Sequence, residues 1–228
     1  QVSVNAVYNN KVSVLVGDYI LATSLKHASF TGHVKLVELV CKLGQELSEG
    51  EILQLSNISG KDFSEDSYFD VIRKKTAALF VVAAECGAVA VGASDKDIEL
   101  AAQFGDMLGI AFQIKDDIFD YFDNPEIGKP TGNDMMEGKL TLPAIYVLNK
   151  LNDEKLNSLA LRIRAMEATK EEIASFVDTI KQEGGIEYAE QVMNSYRQKA
   201  VEALPEYIDK DIRAALVAYL DYVIERKK

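Results

Sequence analysis

The sequence predicts an all-α protein, and three observations carry the prediction. The four prolines stand at positions 125, 130, 143 and 205, so the first 124 of the 228 residues contain none. Proline interrupts helix interiors, and a proline-free run of that length suits a helical chain. Alternating β-branched strands bounded by Asn-Gly or Asp-Gly turns are absent, apart from a short ambiguous VSVLV at 12–16. Helix-capping residues also stand where several helices should begin.

Helices are expected over 3–27, 31–48, 65–92, 95–122, 139–150, 153–166, 170–184, 186–203 and 209–226. The first two rest on the unbroken, proline-free pattern. Gly60 to Asp66 reads as a loop, with Ser64 or Asp66 as the N-cap of the third. Ser94 and Asp95 open the fourth, and Asp97 and Glu99 place negative charge in its first turn. The stretch 123–138, DNPEIGKPTGNDMMEG, is the least helical. A Gly/Pro/Asn/Asp cluster of that length inside a helical domain is a candidate functional loop. Thr169, followed by Glu171 and Glu172, caps the helix from 170, and Gly184-Gly185 ends it. No repeat or linker divides the chain, so residues 1–228 read as one domain.

Composition narrows the function. Lys plus Arg number 25 against 36 Asp plus Glu, a net charge of −11, which argues against nucleic acid as the main partner. No apolar run is long enough for a membrane span. Cys41 and Cys86 sit in apolar helical patterns and read as buried thiols of a reducing cytoplasm. With only two histidines, His27 and His33, and no metal-ligand spacing, a zinc site is not expected.

The helix at 101–122 carries the chemistry. At about 100° per residue, with Gln113 at zero, Asp116 falls near about −60°, Asp117 about +40°, Asp120 about −20° and Asp106 about +20°. The polar residues share one stripe. Phe112, Ile114, Ile118, Phe119, Tyr121 and Phe122 cover most of the rest, so the helix should be buried and the stripe should line a cavity. Crowded carboxylates repel one another, and their desolvation is costly without a partner. Lys115, on the opposite side, cannot supply it. Mg²⁺ is the natural match, a hard cation that takes carboxylates together with phosphate oxygens and water. Ala102, Gly105 and Gly109 on the same side either leave room for a ligand or permit close helix packing. An acidic, metal-binding cleft suggests an anionic ligand, and Lys75, Lys129 and Lys139 are the candidates to meet it. Each alone also reads as a surface lysine; together they read as a phosphate clamp.

At this point the residues resemble a known family, the trans-isoprenyl diphosphate synthases or polyprenyl synthetases. FQIKDDIFDYFDNPEIGKPTGNDMMEGKLTLPAIY is similar to the family's second aspartate-rich motif with its loop and following helix. VLVGDYILA, EGEILQL and YFDVIRKKTAALF resemble three further signature segments, in order. The resemblance implies the isoprenoid synthase fold, an antiparallel helix bundle around a deep apolar cavity, usually as a homodimer. It implies condensation of an allylic diphosphate with isopentenyl diphosphate to an all-trans polyprenyl diphosphate. Asp116, Asp117 and Asp120 would then hold Mg²⁺ against the allylic diphosphate, with Lys75, Asp116 and Asp117 counted as catalytic. Lys75, Lys129 and Lys139 would contact that diphosphate; Thr76 and Gln113 match positions beside it, and Gln54 one near the first metal cluster. Phe80, Phe112 and Phe119 are candidates for the apolar wall, or for the core. EGEILQL resembles the long-chain members that supply quinone tails. The same resemblance implies a cytoplasmic enzyme with peripheral membrane contact for product release.

The sequence also departs from the family. The first aspartate-rich motif and the isopentenyl diphosphate-binding residues ahead of it have no counterpart, and residue 1 falls where that motif should have ended. Further residues are therefore expected ahead of Gln1, and the 228 residues alone are expected to bind Mg²⁺-diphosphate weakly without turnover. Arg226, Lys227 and Lys228 either close over a second diphosphate or form a solvated end. The rival readings are a class I terpene cyclase, a short-chain synthase, and a non-catalytic subunit of a heteromeric synthase.

Overall fold

The computed structural model describes residues 2–58, 60, 63–122 and 131–226. Among them every regular element is helical. The elements are α1 (Val4–Val7), α2 (Asn10–Phe30), α3 (Val34–Ile58), α4 (Glu65–Ile72), a π-helical turn (Arg73–Ala77), α5 (Ala78–Ala90), α6 (Asp95–Phe119), α7 (Asn133–Met136), α8 (Leu142–Leu151), α9 (Glu154–Arg164), α10 (Lys170–Gln182), α11 (Gly185–Ala203) and α12 (Lys210–Glu225). VSVLV lies within α2 and forms no strand.

The expected caps are present. Ser64 accepts from the Ser67 amide, Ser94 from that of Asp97, and Thr169 forms a capping box with Glu172. Three helices depart most from expectation. The first helix breaks at Tyr8, because Asn9 leaves helical geometry and its side chain caps α2 through the Val12 amide. The second starts at Val34, after Gly32 turns at φ +66°, and runs on to Ile58, so EGEILQL is helical. The third is interrupted at residues 73–77, where the wider π turn inserts an extra residue into the ladder.

Helix α6 is the axis of the molecule. It packs most extensively against α5 on one side and α11 on another, with α12 and the π turn also against it. Ile110, Ala111 and Ile114 on α6 are fully buried in the main core, together with Leu142, Val147, Phe176, Ile180 and Leu220. Helices α2 and α3 lie outside α5. Helix α3 contributes Leu39 to a small second cluster with Val82 and Val89, against which Cys86 packs. Cys41 does not follow the expectation of burial. It is exposed, because α3 buries only the face that carries Leu36, Leu39 and Leu43. Helix α2 has no buried residue at all.

Gly105 and Gly109 of α6 serve close packing and not ligand room. A Cβ on Gly105 would meet Phe80 O at 2.7 Å, and one on Gly109 would meet Ala77 Cα at 2.5 Å. Gly50 does the same on α3, where a Cβ would lie 2.8 Å from the Lys75 nitrogen. The π turn is thus gripped by glycines of two helices, which fixes the direction in which Lys75 and Thr76 project.

Candidate active site

A cleft of about 480 Å³ opens between α3, α4, the π turn, α6 and the segment around 138–141. Gln54, Lys75, Thr76, Gln113, Asp117 and Lys139, all expected from sequence, line it. Val71, Ile72 and Ile145 give it an apolar side. Phe80, Phe112 and Phe119 are not among its lining. Phe80 and Phe112 meet each other at 5.2 Å between ring centres and pack on the core.

A chain of hydrogen bonds crosses the cleft. The Thr76 hydroxyl donates to Gln113 Oε1 at 2.6 Å, and Gln113 Nε2 donates to Asp117 Oδ1 at 2.7 Å. The Tyr68 hydroxyl donates to the other oxygen, Asp117 Oδ2, at 2.6 Å. Asp117 is only 3% exposed. Burial pushes its carboxyl up to about 7; the bonds from Tyr68 and Gln113 hold it down, while the charges of Asp134 and Asp116 push it up further.

The lysines stand ready but neutralised. Lys75 Nζ lies 2.5 Å from Glu51 Oε2 and 2.7 Å from Gln54 Oε1. Lys139 Nζ lies 2.5 Å from Glu137 Oε2. Burial pulls the Lys139 ammonium down, but Glu137, Asp134 and Glu51 outweigh it, and the net direction is up. Lys129 lies outside the described residues, as do Lys227 and Lys228.

The carboxylates of α6 divide between neighbours instead of converging. Asp116 and Asp117 are about 100° apart on the helix, so one faces α12 and the other α4. Asp116 pairs with Arg226, whose guanidinium lies 3.9 Å over the Phe112 ring and bonds the Phe112 carbonyl at 3.2 Å. Arg226 is therefore tucked in and not frayed. Asp120 Oδ2 accepts from the Asp134 amide at 3.1 Å, and its carbonyl from the Gly132 amide at 2.8 Å. Those bonds carry the returning chain back to the cleft, with Asp134 and Lys139. Asp106 sits apart, 3.5 Å from Arg73. Among the described residues, no three His, Cys, Asp or Glu side chains stand together as a ready ligand set. The donors nonetheless suit a hard divalent cation. Asp117 is a desolvated carboxylate beside Asp134 and the side-chain oxygens of Gln113 and Thr76, the donor type that such an ion takes.

Sequence reasoning missed Tyr68 and Asp134, both in the lining. Tyr68, Val71 and Lys75 are spaced by three and four residues, the spacing of one helix face, and this was the available signal. Asp134 lies within the stretch 123–138 read as a loop, where periodicity gives no guidance, and the structure places it in the short helix α7.

The raised Asp117 carboxyl has a measurable consequence. Its ordinary value is 3.8, so between about pH 4 and 7 the native protein holds a proton that the unfolded chain has lost. Metal-free stability should therefore fall as pH rises through that window, by up to about 4 kcal/mol once above it. Urea unfolding from pH 4 to 8 measures this. The decline should flatten in Asp117→Asn; equal slopes for both proteins would contradict it.

Comparison with known proteins agrees with this geometry. The family model described as polyprenyl synthetase matches residues 1–180. An octaprenyl diphosphate synthase of Escherichia coli (strain K12) is 31% identical over 225 residues, covering 98% of this chain and 69% of the relative. The crystal structure of a geranylgeranyl pyrophosphate synthase from Bacteroides thetaiotaomicron superposes with a TM-score of 0.92 at 52% identity, over 98% of this chain and 74% of that one. A polyprenyl synthase from Caulobacter crescentus CB15, solved with calcium and isoprenyl diphosphate, gives 0.92 at 30% identity, over 100% of this chain and 70% of its own. An all-helical bundle built on α6, a cleft that gathers the motif residues, and these matches lead to one conclusion: the chain belongs to the polyprenyl synthetase family of prenyltransferases.

Proposed function

We propose that the cleft binds the diphosphate of an allylic substrate and promotes its condensation with isopentenyl diphosphate to an all-trans polyprenyl diphosphate. The observation that carries this is the Thr76–Gln113–Asp117–Tyr68 chain of hydrogen bonds, set between Lys75 and Lys139 in one cleft. The Caulobacter relative, solved with calcium and isoprenyl diphosphate, supports the same ligand class.

Asp116, Asp117 and Asp120 would hold Mg²⁺. When bound, the ion supplies Lewis-acid stabilisation of the charge that develops on the departing diphosphate. The remaining roles belong to side chains. Lys75 and Lys139, with Lys129 as expected from sequence, turn from their carboxylate partners to the anionic oxygens. Thr76 orients Gln113, which fixes one oxygen of Asp117. Gln54 holds the Lys75 ammonium at the cleft wall. Val71, Ile72 and Ile145 keep water from the electron-poor allylic carbons. Neither histidine lines the cleft, which supports the released diphosphate as the base for the final proton.

The cleft draws on elements from α3 to the end of α9, which supports reading residues 1–228 as one domain. Homodimeric assembly belongs to the same reading. The apolar side chains Val14, Leu15, Tyr19 and Ile20 that α2 leaves exposed support it. Among the described residues no helix is long and apolar enough to cross a membrane, and contact with one for product release is taken to be peripheral.

The test uses the full-length protein with Mg²⁺, labelled isopentenyl diphosphate and farnesyl diphosphate, resolved by chromatography. The expected result is a ladder ending at one prenyl length, lost in Asp116→Ala. Its end point reads the product between the geranylgeranyl and octaprenyl lengths named among the relatives. No incorporation by the wild-type protein would overturn the proposal.

A further inference from the structure

We infer that Tyr68 is a positioning residue for Asp117: its hydroxyl reaches from α4 to α6 and fixes the carboxylate in the orientation that receives the cation. The inference deepens the reading above and rests on it.

The geometry is specific. Asp117 uses each oxygen once, toward Gln113 Nε2 at 2.7 Å and toward the Tyr68 hydroxyl at 2.6 Å. Each carboxylate oxygen can accept more than one bond. Both oxygens therefore keep acceptor capacity for a ligand while the plane of the group is set. Gln113 is a neighbour on the same helix, one turn away, and alone would leave the carboxyl free to rotate about its single contact. Tyr68 supplies the second, independent point, 49 residues away in sequence. Two points define an orientation where one does not.

Tyr68 is itself held. It is 7% exposed, and its ring meets that of Phe69 edge-on at 5.3 Å, while Phe69 in turn leans on Tyr196 at 5.8 Å. Burial first, and then the Asp117 charge, push the hydroxyl well above its ordinary value. A hydroxyl donor set on a packed ring is the kind of partner that orients a metal-binding carboxylate before the ion arrives. A purely structural tyrosine needs any acceptor. This one is committed to a carboxylate that lines the cleft, and the hydroxyl-bearing side chain lines the same cleft.

The test is a set of Mg²⁺ titrations of inorganic diphosphate binding to the full-length protein, with melting temperatures recorded in parallel. Tyr68→Phe keeps the ring and removes the hydroxyl. Partners that orient metal ligands typically change metal affinity by about 10- to 100-fold when removed, so the half-saturating Mg²⁺ should rise about tenfold or more. Tyr188→Phe is the control. It also removes a hydroxyl bond to α4, at Glu65 Oε2 (2.9 Å), but touches no residue of the chain that holds Asp117. Its Mg²⁺ requirement should not move.

An unchanged Mg²⁺ requirement in Tyr68→Phe, with Asp117→Asn impaired, overturns the inference and leaves the proposed function standing. Unchanged binding in Asp117→Asn removes the metal reading and the Tyr68 role together. Should Tyr68→Phe fail to fold, the double variant Tyr68→Phe/Asp117→Asn decides. Folding restored to the level of Asp117→Asn shows that Tyr68 acts through that carboxylate; failure of the double variant shows a separate structural role and overturns the inference.

Discussion

Asp117→Asn is expected to cut the rate of prenyl transfer by about 10²- to 10³-fold, the cost of losing one charged group from a site that stabilises developing charge. The same variant should make the metal-free protein more stable above pH 7. The two effects have one cause. Asp117 is 3% exposed and its carboxyl is pushed up to about 7, so at pH 8 the native state carries a desolvated charge at a cost of up to about 4 kcal/mol. An amide of the same shape removes that charge. Its oxygen can accept from Tyr68, and the Gln113 amide can flip, so that Gln113 donates to the Thr76 hydroxyl and accepts from the new amide. The hydrogen bonds survive and the charge does not. Steady-state kinetics at saturating Mg²⁺ and urea unfolding with chelator measure the two effects. A variant that keeps near-wild-type turnover, or is less stable than wild type at pH 8, would contradict the account.

Gly109→Val is expected to destabilise the fold by about 3 kcal/mol or more, at the upper end of overpacking costs. A Cβ at that position already meets Ala77 Cα at 2.5 Å and Ala77 Cβ at 2.7 Å, and valine adds two methyls beyond it. The obstacle is backbone, so no rotamer relieves it; α6 and the π turn must separate. At about 2–4 °C per kcal/mol for a chain of this size, the melting temperature should drop by about 6–12 °C. Ala77 closes the turn that carries Lys75 and Thr76. The displacement should also lengthen the Thr76–Gln113 bond, so activity should fall even at temperatures where the variant remains folded. A melting temperature within about 2 °C of wild type would show that the helices yield without cost.

Much of this was legible in the sequence. The all-helical class followed from proline placement and caps, because both act locally: a missing amide or a side-chain oxygen at the first turn decides a helix with no help from the rest of the fold. The caps at Ser64, Ser94 and Thr169 are where the residues put them. The stripe on α6 was legible too, because helical phase is fixed by about 3.6 residues per turn. That Lys75, Thr76, Gln113 and Lys139 stand with Asp117 followed from the family resemblance, and the structure lines one cleft with them; Gln54, expected near the first metal cluster, lines the same cleft.

What only the tertiary structure decided is where each stripe residue turns. Asp106, Asp116, Asp117 and Asp120 share a helix face in sequence, yet each finds a different partner: Arg73, Arg226, the Tyr68–Gln113 pair and the Asp134 amide. Helical phase fixes the direction of a side chain but not its neighbour, and the neighbour comes from α4, the π turn, α7 or the residue that follows α12, up to 110 residues away. Gly105 and Gly109 were equally compatible with ligand room and close packing from sequence; the structure presses the start of α5 against Gly105 and the π turn against Gly109. A π turn has no local signature in propensity. Here Gly50 of α3 and Gly109 of α6 let two helices approach its backbone. The sequence by itself determined the helices, the chemistry of the α6 stripe and the family; the packing of glycines against one widened turn decided how that chemistry is aimed, because orientation is set by contacts between distant segments.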